Sequence, residues 1–535
     1  MISNSTANQE MVAEATVPQC NFKIGSRVEC CSYIGTVKYI GPVEGHQGTW
    51  LGIDWDDSTR GKHNGTVNGV EYFHTWHPKS GSFVRKEKVT FGQSLIQAIK
   101  SRYGCVEDDT TAKLNEQTML KFQQDINAPF LQLVGFDKVA DKQRDFNSLQ
   151  VVSVRSMNVN GIGEASNELK RLFPNIREID LSRSLLSSWT DVFSICAQLD
   201  SLSLLNVSEN ILELPLNYEK YKFPQISMLV CGQMHLNWAN VKKLAQVFPS
   251  IKELRVPYNN ITDLSTPKEN NFKDLQTLDL DGNDIRLWSK VNKLKAIRNL
   301  KHLIVENIKL QSIQFEEDNT PIDDFPNLNI LNINENQISE WRSIAELNKL
   351  RNLEHLRILK NPILETEKFE TRIEIIIAKI KNLKTINGST IKREERYGAE
   401  IDYLKKYALE WIDVQNNPEA RSKFLLEHNR YLELIEMYGL PEESELVVQP
   451  NIIKSSLLTV NILCENKTVS KMVPPSLLVQ KLITMVQKMF KLQDKPVLKY
   501  VSSSDPNIRV EFEDEMKEIA YYSIQDGDTI IVITD

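Results

Sequence analysis

The eleven residues Leu275-Gln276-Thr277-Leu278-Asp279-Leu280-Asp281-Gly282-Asn283-Asp284-Ile285 set the ruler for the middle of this chain. Apolar side chains stand first, fourth, sixth and eleventh, and an asparagine stands ninth. The same pattern recurs at Leu202-Leu205-Val207-Asn210-Leu212, at Ile251-Leu254-Val256-Asn259-Ile261 and at Leu328-Leu331-Ile333-Asn336-Ile338. Weaker copies begin at Leu149, Ile176, Ile226, Leu300 and Leu353. The nine starts lie 24 to 28 residues apart, so phase, period and residue type agree nine times.

A period of that length is the mark of leucine-rich repeats. One repeat buries its apolar face only against its neighbours, so residues 146–411 are expected to form a curved α/β solenoid with a parallel sheet inside. The asparagines at 210, 259, 283, 336 and 361 are expected to satisfy backbone groups where the chain leaves each strand. Four repeats carry Met157, Ser184, Met234 or Ile308 there, which predicts a broken ladder. The concave face should present Glu178, Asp180, Asp279, Asp281, His302, Glu306, Asn332, Asn334, His355 and Arg357, either to a folded partner or to solvent. Beyond Leu383–Ile386 the pattern fades into a charged helical run, 393–411, expected to cap the open core.

Upstream, Gly61-Lys62-His63-Asn64-Gly65 sits among aromatics: Trp50, Tyr72, Phe73, Trp76 and Phe83 all lie within 40 residues of Gly48. A peptide ending in acidic residues and a free carboxylate needs a cation, donors and a flat apolar wall. Lys62, His63, Asn64 and Arg85 are candidates for the first two, and Trp50 and Phe83 for the wall. The spacing resembles the CAP-Gly domain, a small β-barrel whose Gly-Lys-Asn-Asp-Gly signature grips acidic C-terminal tails. Lys62 keeps that lysine, while His63 and Asn64 replace the usual Asn and Asp. The resemblance covers residues 21–92.

Composition is that of a soluble multidomain protein: 41% hydrophobic, 25% charged, with a mean hydropathy of −0.34. No apolar run reaches the roughly 18 residues of a membrane span, and Met1–Glu10 is polar, so a cytoplasmic protein without a membrane segment is expected. Residues 22–92 hold nine Lys/Arg against seven Asp/Glu, about +2, leaving about −9 of the net −7 for the rest. That balance suits an acidic peptide and argues against nucleic acid. Seven cysteines, an odd number without a Cys-x-x-Cys pair, indicate neither a disulfide framework nor a metal site, and Cys30-Cys31 reads as part of a strand. Asp54-Trp55-Asp56-Asp57 reads as strand and turn rather than a metal site. Phosphate loops, nucleophile elbows and zinc-protease motifs are absent, so no enzyme, catalytic residue or cofactor is expected.

Near the end, Leu458, Val460, Ile462 and Cys464 alternate, a return strand follows to Val473, and Ser476 is placed to cap a helix bearing Leu478, Leu482, Met485, Val486 and Met489. With strands at Val497–Val501 and Thr529–Thr534 the order is β-β-α-β-β, and the closing residues from Tyr522 resemble ubiquitin-like folds, a β-grasp over 455–535. The chain ends without a diglycine, so this domain is expected to act as a docking surface, or only as a folded end, rather than to be conjugated. Residues 1–20 are expected as a disordered tail, 93–145 as a linker with a helical piece at 95–103, and 412–454 as a second linker.

The order of CAP-Gly, leucine-rich repeats and ubiquitin-like end resembles the tubulin-folding cofactor E family. The resemblance implies α-tubulin as partner and cytoplasm and cytoskeleton as location. It also implies cooperation with cofactors B, C and D and with β-tubulin in assembling and dissociating the heterodimer, with the GTP belonging to tubulin. Two other readings are an adaptor for microtubules or end-binding proteins, and a proteasome adaptor acting through the last domain.

Overall fold

The computed structural model describes residues 23–104, 146–163, 167–268, 271–315, 324–365, 369–441, 457–465, 467–501, 509–512, 514–522 and 524–534. The expected tail over 1–20 lies outside them. The chain divides into two compact units, 1–439 and 440–535.

The first module is a four-stranded antiparallel sheet of Arg27–Cys30, Tyr33–Val43, His46–Trp55 and Gly81–Val84. Inward-pointing Val28, Cys30, Val37, Leu51, Ile53 and Trp55 form its core. The acidic run is fully used by structure. Buried Asp54 accepts the Ser80 hydroxyl at 2.6 Å and the Trp76 N–H at 3.1 Å, and Asp56 pairs with buried Arg27. Asp57 holds the Thr59 hydroxyl at 2.7 Å.

Nine three-residue strands, Val151–Ser153 through His355–Arg357, follow in parallel register. Each covers the third to fifth positions of one repeat, and every first-position side chain from Leu149 to Leu353 is buried. A further parallel strand, Thr385–Ile386, extends the sheet and Ser389–Thr390 closes it antiparallel.

Two devices lock the repeats together. The eighth position of all nine repeats is left-handed: Ser156, Arg183, Glu209, Gln233, Tyr258, Gly282, Asn307, Glu335 and Lys360. Only glycine and asparagine favour that backbone, and other residues cost about 1 kcal/mol or more there. The cost is offset because the turn aims the N–H at the next repeat's carbonyl. Eight such rungs run from Ser156 N–H to Ser182 O through Glu335 N–H to Leu359 O, at 2.8–3.2 Å.

The ninth-position asparagines form the second device. Buried Asn259 donates to the Cys231 carbonyl at 2.7 Å and accepts from Met234 N–H at 2.9 Å and Leu236 N–H at 3.1 Å. Asn210 likewise accepts from Ser184 N–H, and Asn336 from Ile308 N–H and Leu310 N–H. Each asparagine reaches back one repeat, so Ser184, Met234 and Ile308 are themselves served by the next repeat. The predicted breaks fall one repeat upstream, where no asparagine amide accepts from the N–H groups of Asn210 or Asn283 among the described residues.

Both expected linkers contribute structure to this unit. Gln93–Ser94 pairs with Val159–Gly161, and Ser94 and Gln97 form a capping box on the helix Leu95–Tyr103. That helix buries Leu95, Ile96, Ala98 and Ile99 in the solenoid core, so it is the N-terminal cap. Residues 105–145 of the expected linker lie outside the described residues.

At the other end, helices Arg393–Val414, Pro418–Glu427 and Tyr431–Tyr438 pack Trp411, Phe424, Tyr431 and Leu434 together. The cap therefore runs past residue 411 to the end of that helix. Its interior holds the Arg430–Glu400 pair at 2.9 Å, with Tyr438 donating to Glu400 at 2.7 Å.

The second unit pairs Leu458–Cys464 in parallel with Thr529–Ile533, and Lys467–Val473, Val497–Val501 and Arg509–Glu511 complete a five-stranded sheet. Val479–Phe490 packs Val479, Leu482, Ile483 and Val486 across it, the β-grasp arrangement. The helix is capped by Leu478 without a side-chain bond, so Ser476 does not fill the predicted capping role. No described helix is long and apolar enough to cross a membrane.

Replacing Asn259 by alanine leaves one carbonyl and two N–H groups buried without partners. The expected loss is on the order of 3 kcal/mol in urea unfolding, against about 0.5 kcal/mol for alanine at exposed Lys252.

Candidate functional site: an aromatic groove and the solenoid face

Strand pairing sets the groove. Gly52 lies opposite Phe83, and Leu51 opposite Val84, so Trp50, Gly52, Phe83 and Arg85 share one face of the sheet. A side chain at Gly52 would come within 2.4 Å of the Phe73 ring, so glycine leaves the space that Phe73 fills. Phe83 becomes a hub, with ring centroids 5.3 Å from His63, 5.3 Å from Tyr72, 5.5 Å from Phe73 and 6.0 Å from Tyr39. The tyrosine hydroxyls are fixed: Tyr39 donates to the Pro42 carbonyl at 2.7 Å, and Tyr72 accepts the Glu44 N–H at 2.9 Å.

The signature loop is held by its backbone. Lys62 N–H donates to the Gly81 carbonyl at 2.7 Å, and Gly81 N–H returns a bond to the His63 carbonyl at 2.8 Å. Gly65 has φ +96°, and a Cβ there would strike the Phe73 carbonyl oxygen at 1.7 Å. Asn64 is exposed and turns its side-chain oxygen to Thr66 N–H at 3.2 Å. His63 accepts the Gly65 N–H on Nδ1 at 3.0 Å, which places the proton of a neutral ring on Nε2. Burial, then the Lys62 charge, lowers its pKa below the ordinary histidine value. The Lys62 side chain is exposed and has no hydrogen bond or ion pair among the described residues.

Trp50 and Arg85 form the other end. The guanidinium lies 3.8 Å from the Trp50 ring centre and donates to the Gln47 carbonyl at 2.5 Å and the Thr49 carbonyl at 3.3 Å. Arg85 is thus partly engaged, with two of its five N–H donors given to backbone carbonyls. Lys62, His63 and the Asn64 side-chain nitrogen remain open among the described residues, while Trp50 Nε1 is buried and finds no acceptor there. Tyr39 was not anticipated, because a bulge between Val37 and Tyr39 breaks the alternation that would have revealed it.

On the solenoid, Glu178 and Asp180 flank buried Ile179, so both stand half-buried on the strand's outer face. Several candidates have structural work. Asp180 accepts Ser182 N–H at 2.9 Å and Asp279 accepts Asp281 N–H at 2.9 Å, a turn that Asn206 and Asn332 repeat. Glu306 is held by the Asn332 amide at 2.7 Å, and Arg357 stands exposed. Glu253 and Arg255, which pair at 2.6 Å, and exposed Tyr258 join this face without having been anticipated.

Burial, with neighbouring acids behind it, raises two carboxyl groups. Burial lifts Asp279 to about 6, while burial and the Asp279 and Glu306 charges lift Asp281 to about 7. Both folded values lie above the unfolded value of about 3.9, so folding favours the neutral form and stability rises as pH falls from 7 toward 4. Asp281→Asn should raise the unfolding free energy from urea titration at pH 8, by on the order of 1 kcal/mol, and flatten the gain between pH 7 and 4. An Asn variant with the parent's pH profile would contradict the account.

Comparison with known proteins adds the family. Family models match the CAP-Gly domain over residues 24–89 and leucine-rich repeats over 234–412. Tubulin-specific chaperone E of Bos taurus is 36% identical over 525 residues, covering 95% of this chain and 98% of that protein. The Homo sapiens protein of the same name is 35% identical over 533 residues and the Drosophila melanogaster one 34% over 532, covering 95% and 96% of this chain and 98% of each relative. Matched from end to end at that level, the chain belongs to the tubulin-specific chaperone E family.

Proposed function

We propose that this chain is a tubulin chaperone that captures α-tubulin at two points. The groove takes the acidic C-terminal tail, and the concave solenoid face takes the folded body. The match to relatives named tubulin-specific chaperone E across 95% of the chain carries the choice of tubulin. Lys62, which has no ion pair among the described residues and precedes the His63 that packs on Phe83, supports the choice of the tail, because a carboxylate needs a cation and an apolar wall.

Each residue has a distinct part. Lys62 attracts the carboxylates, and His63 offers an Nε2–H donor without adding charge. Phe83, Tyr72 and Phe73 receive a terminal side chain, and Arg85 holds Trp50 in place. Tethering raises the effective concentration at the second contact to about millimolar, so two weak contacts act as one strong one. In this reading the chaperone delivers α-tubulin to a complex of β-tubulin with cofactor D, the heterodimer leaves after cofactor C stimulates GTP hydrolysis by tubulin, and cofactor B takes part in dissociation. It supplies docking rather than chemistry, and GTP stays with tubulin.

Lys62→Ala should weaken binding of intact α-tubulin about tenfold, equivalent to about 1.4 kcal/mol, and leave binding of tail-truncated α-tubulin unchanged. Equal affinity of parent and variant for both forms of α-tubulin would remove the groove from the account.

A further inference from the structure

The hairpin that opens the first module carries two adjacent thiols. Cys30 pairs with Tyr33 at the end of the strands, so Cys31 and Ser32 alone make the turn. Both are left-handed, with φ of +54° and +68°, where Asn-Gly is the ordinary choice. Cys30 is buried, Cys31 is exposed, and their sulfurs lie 3.9 Å apart. Cys31, Ser32 and Tyr33 also form one wall of a cleft of about 950 Å³, whose other wall is the solenoid edge at Arg183, Glu209 and His235.

We propose that Cys30 and Cys31 are a reversible oxidation site, a vicinal dithiol that closes to a disulfide with peroxide as oxidant and so marks the wall of this cleft. The exposed Cys31 reacts first: its thiolate attacks one peroxide oxygen, the O–O bond breaks, and the leaving hydroxide takes a proton to become water. Cys30 then attacks the Cys31 sulfenic sulfur, the S–O bond breaks, and the second oxygen leaves as water with the Cys30 proton. Two thiols and one hydrogen peroxide give one disulfide and two waters.

The geometry fits a transient bond rather than a structural one. The sulfurs must close from 3.9 Å to about 2.05 Å. Adjacent α-carbons sit about 3.8 Å apart, short of the usual disulfide span of about 4.4–6.8 Å. Strained disulfides of that kind are readily reduced, which suits a sensor. Closing the bond draws the Cys31 sulfur from the cleft toward the core.

Full-length protein is treated with hydrogen peroxide, alkylated in denaturant, digested and weighed. The peptide holding both cysteines should lose two hydrogens and carry no alkyl group, and dithiothreitol should restore it. Buried Cys196 and Cys231 should stay alkylatable, and Cys31→Ser should keep Cys30 alkylatable throughout. An unchanged peptide, Cys31 driven to sulfinic acid beside a free Cys30, or Cys31 joined to Cys20, Cys105 or Cys464 would each overturn the proposal.

Discussion

The backbone rungs between successive repeats are the constraint on which the rest of the structure depends. Buried N–H and carbonyl groups must find partners, and in this solenoid each repeat finds them in the next. That is why residues as ill-suited as Tyr258 and Glu335 accept left-handed backbone at the eighth position. It also explains why neither end can stop at a repeat. The helix Leu95–Tyr103 closes one end, and the helices following residue 393 close the other. With the strands fixed in register, the outward side chains of nine repeats form one surface whose shape is set before any partner arrives.

The groove obeys a different rule. It is built by absence as much as by presence: Gly52 makes room for Phe73, and Gly65 lets the signature loop pass against the Phe73 carbonyl. Four aromatic rings then gather on Phe83. Once these positions are filled, the loop has little freedom, and Lys62 stands exposed in it without an ion pair among the described residues. Arg85 shows a different case, a cation near the groove that stacks on Trp50 and gives two donors to the Gln47 and Thr49 carbonyls.

Much of this was legible in the sequence. The ruler at Leu275 located the starts of all nine repeats, and each strand then covers the third to fifth residues from its start, because buried first, fourth and sixth positions leave one backbone phase. The glycine-bracketed Lys62 and the nearby aromatics located the groove. What stayed hidden was long-range. Nothing local marks Leu95–Tyr103 as a cap rather than a linker, since its apolar face is explained only by the core it closes. The helices at 418–438 follow a proline that marks their start, yet their burial depends on Trp411. The reach of Asn210, Asn259 and Asn336 into the preceding repeat is likewise invisible in a pattern read one repeat at a time. Of the acidic face, the sequence showed the residues but not that Asp180 and Asp279 each spend an oxygen on their own turn.

The central claim is that groove and solenoid together hold one α-tubulin. Size-exclusion chromatography of the full-length chain with purified tubulin dimer, with and without cofactor B, addresses it directly. The account predicts a peak containing this chain and α-tubulin without β-tubulin, strengthened by cofactor B. A chain that elutes alone under both conditions and instead pellets with assembled microtubules would contradict it and identify an adaptor.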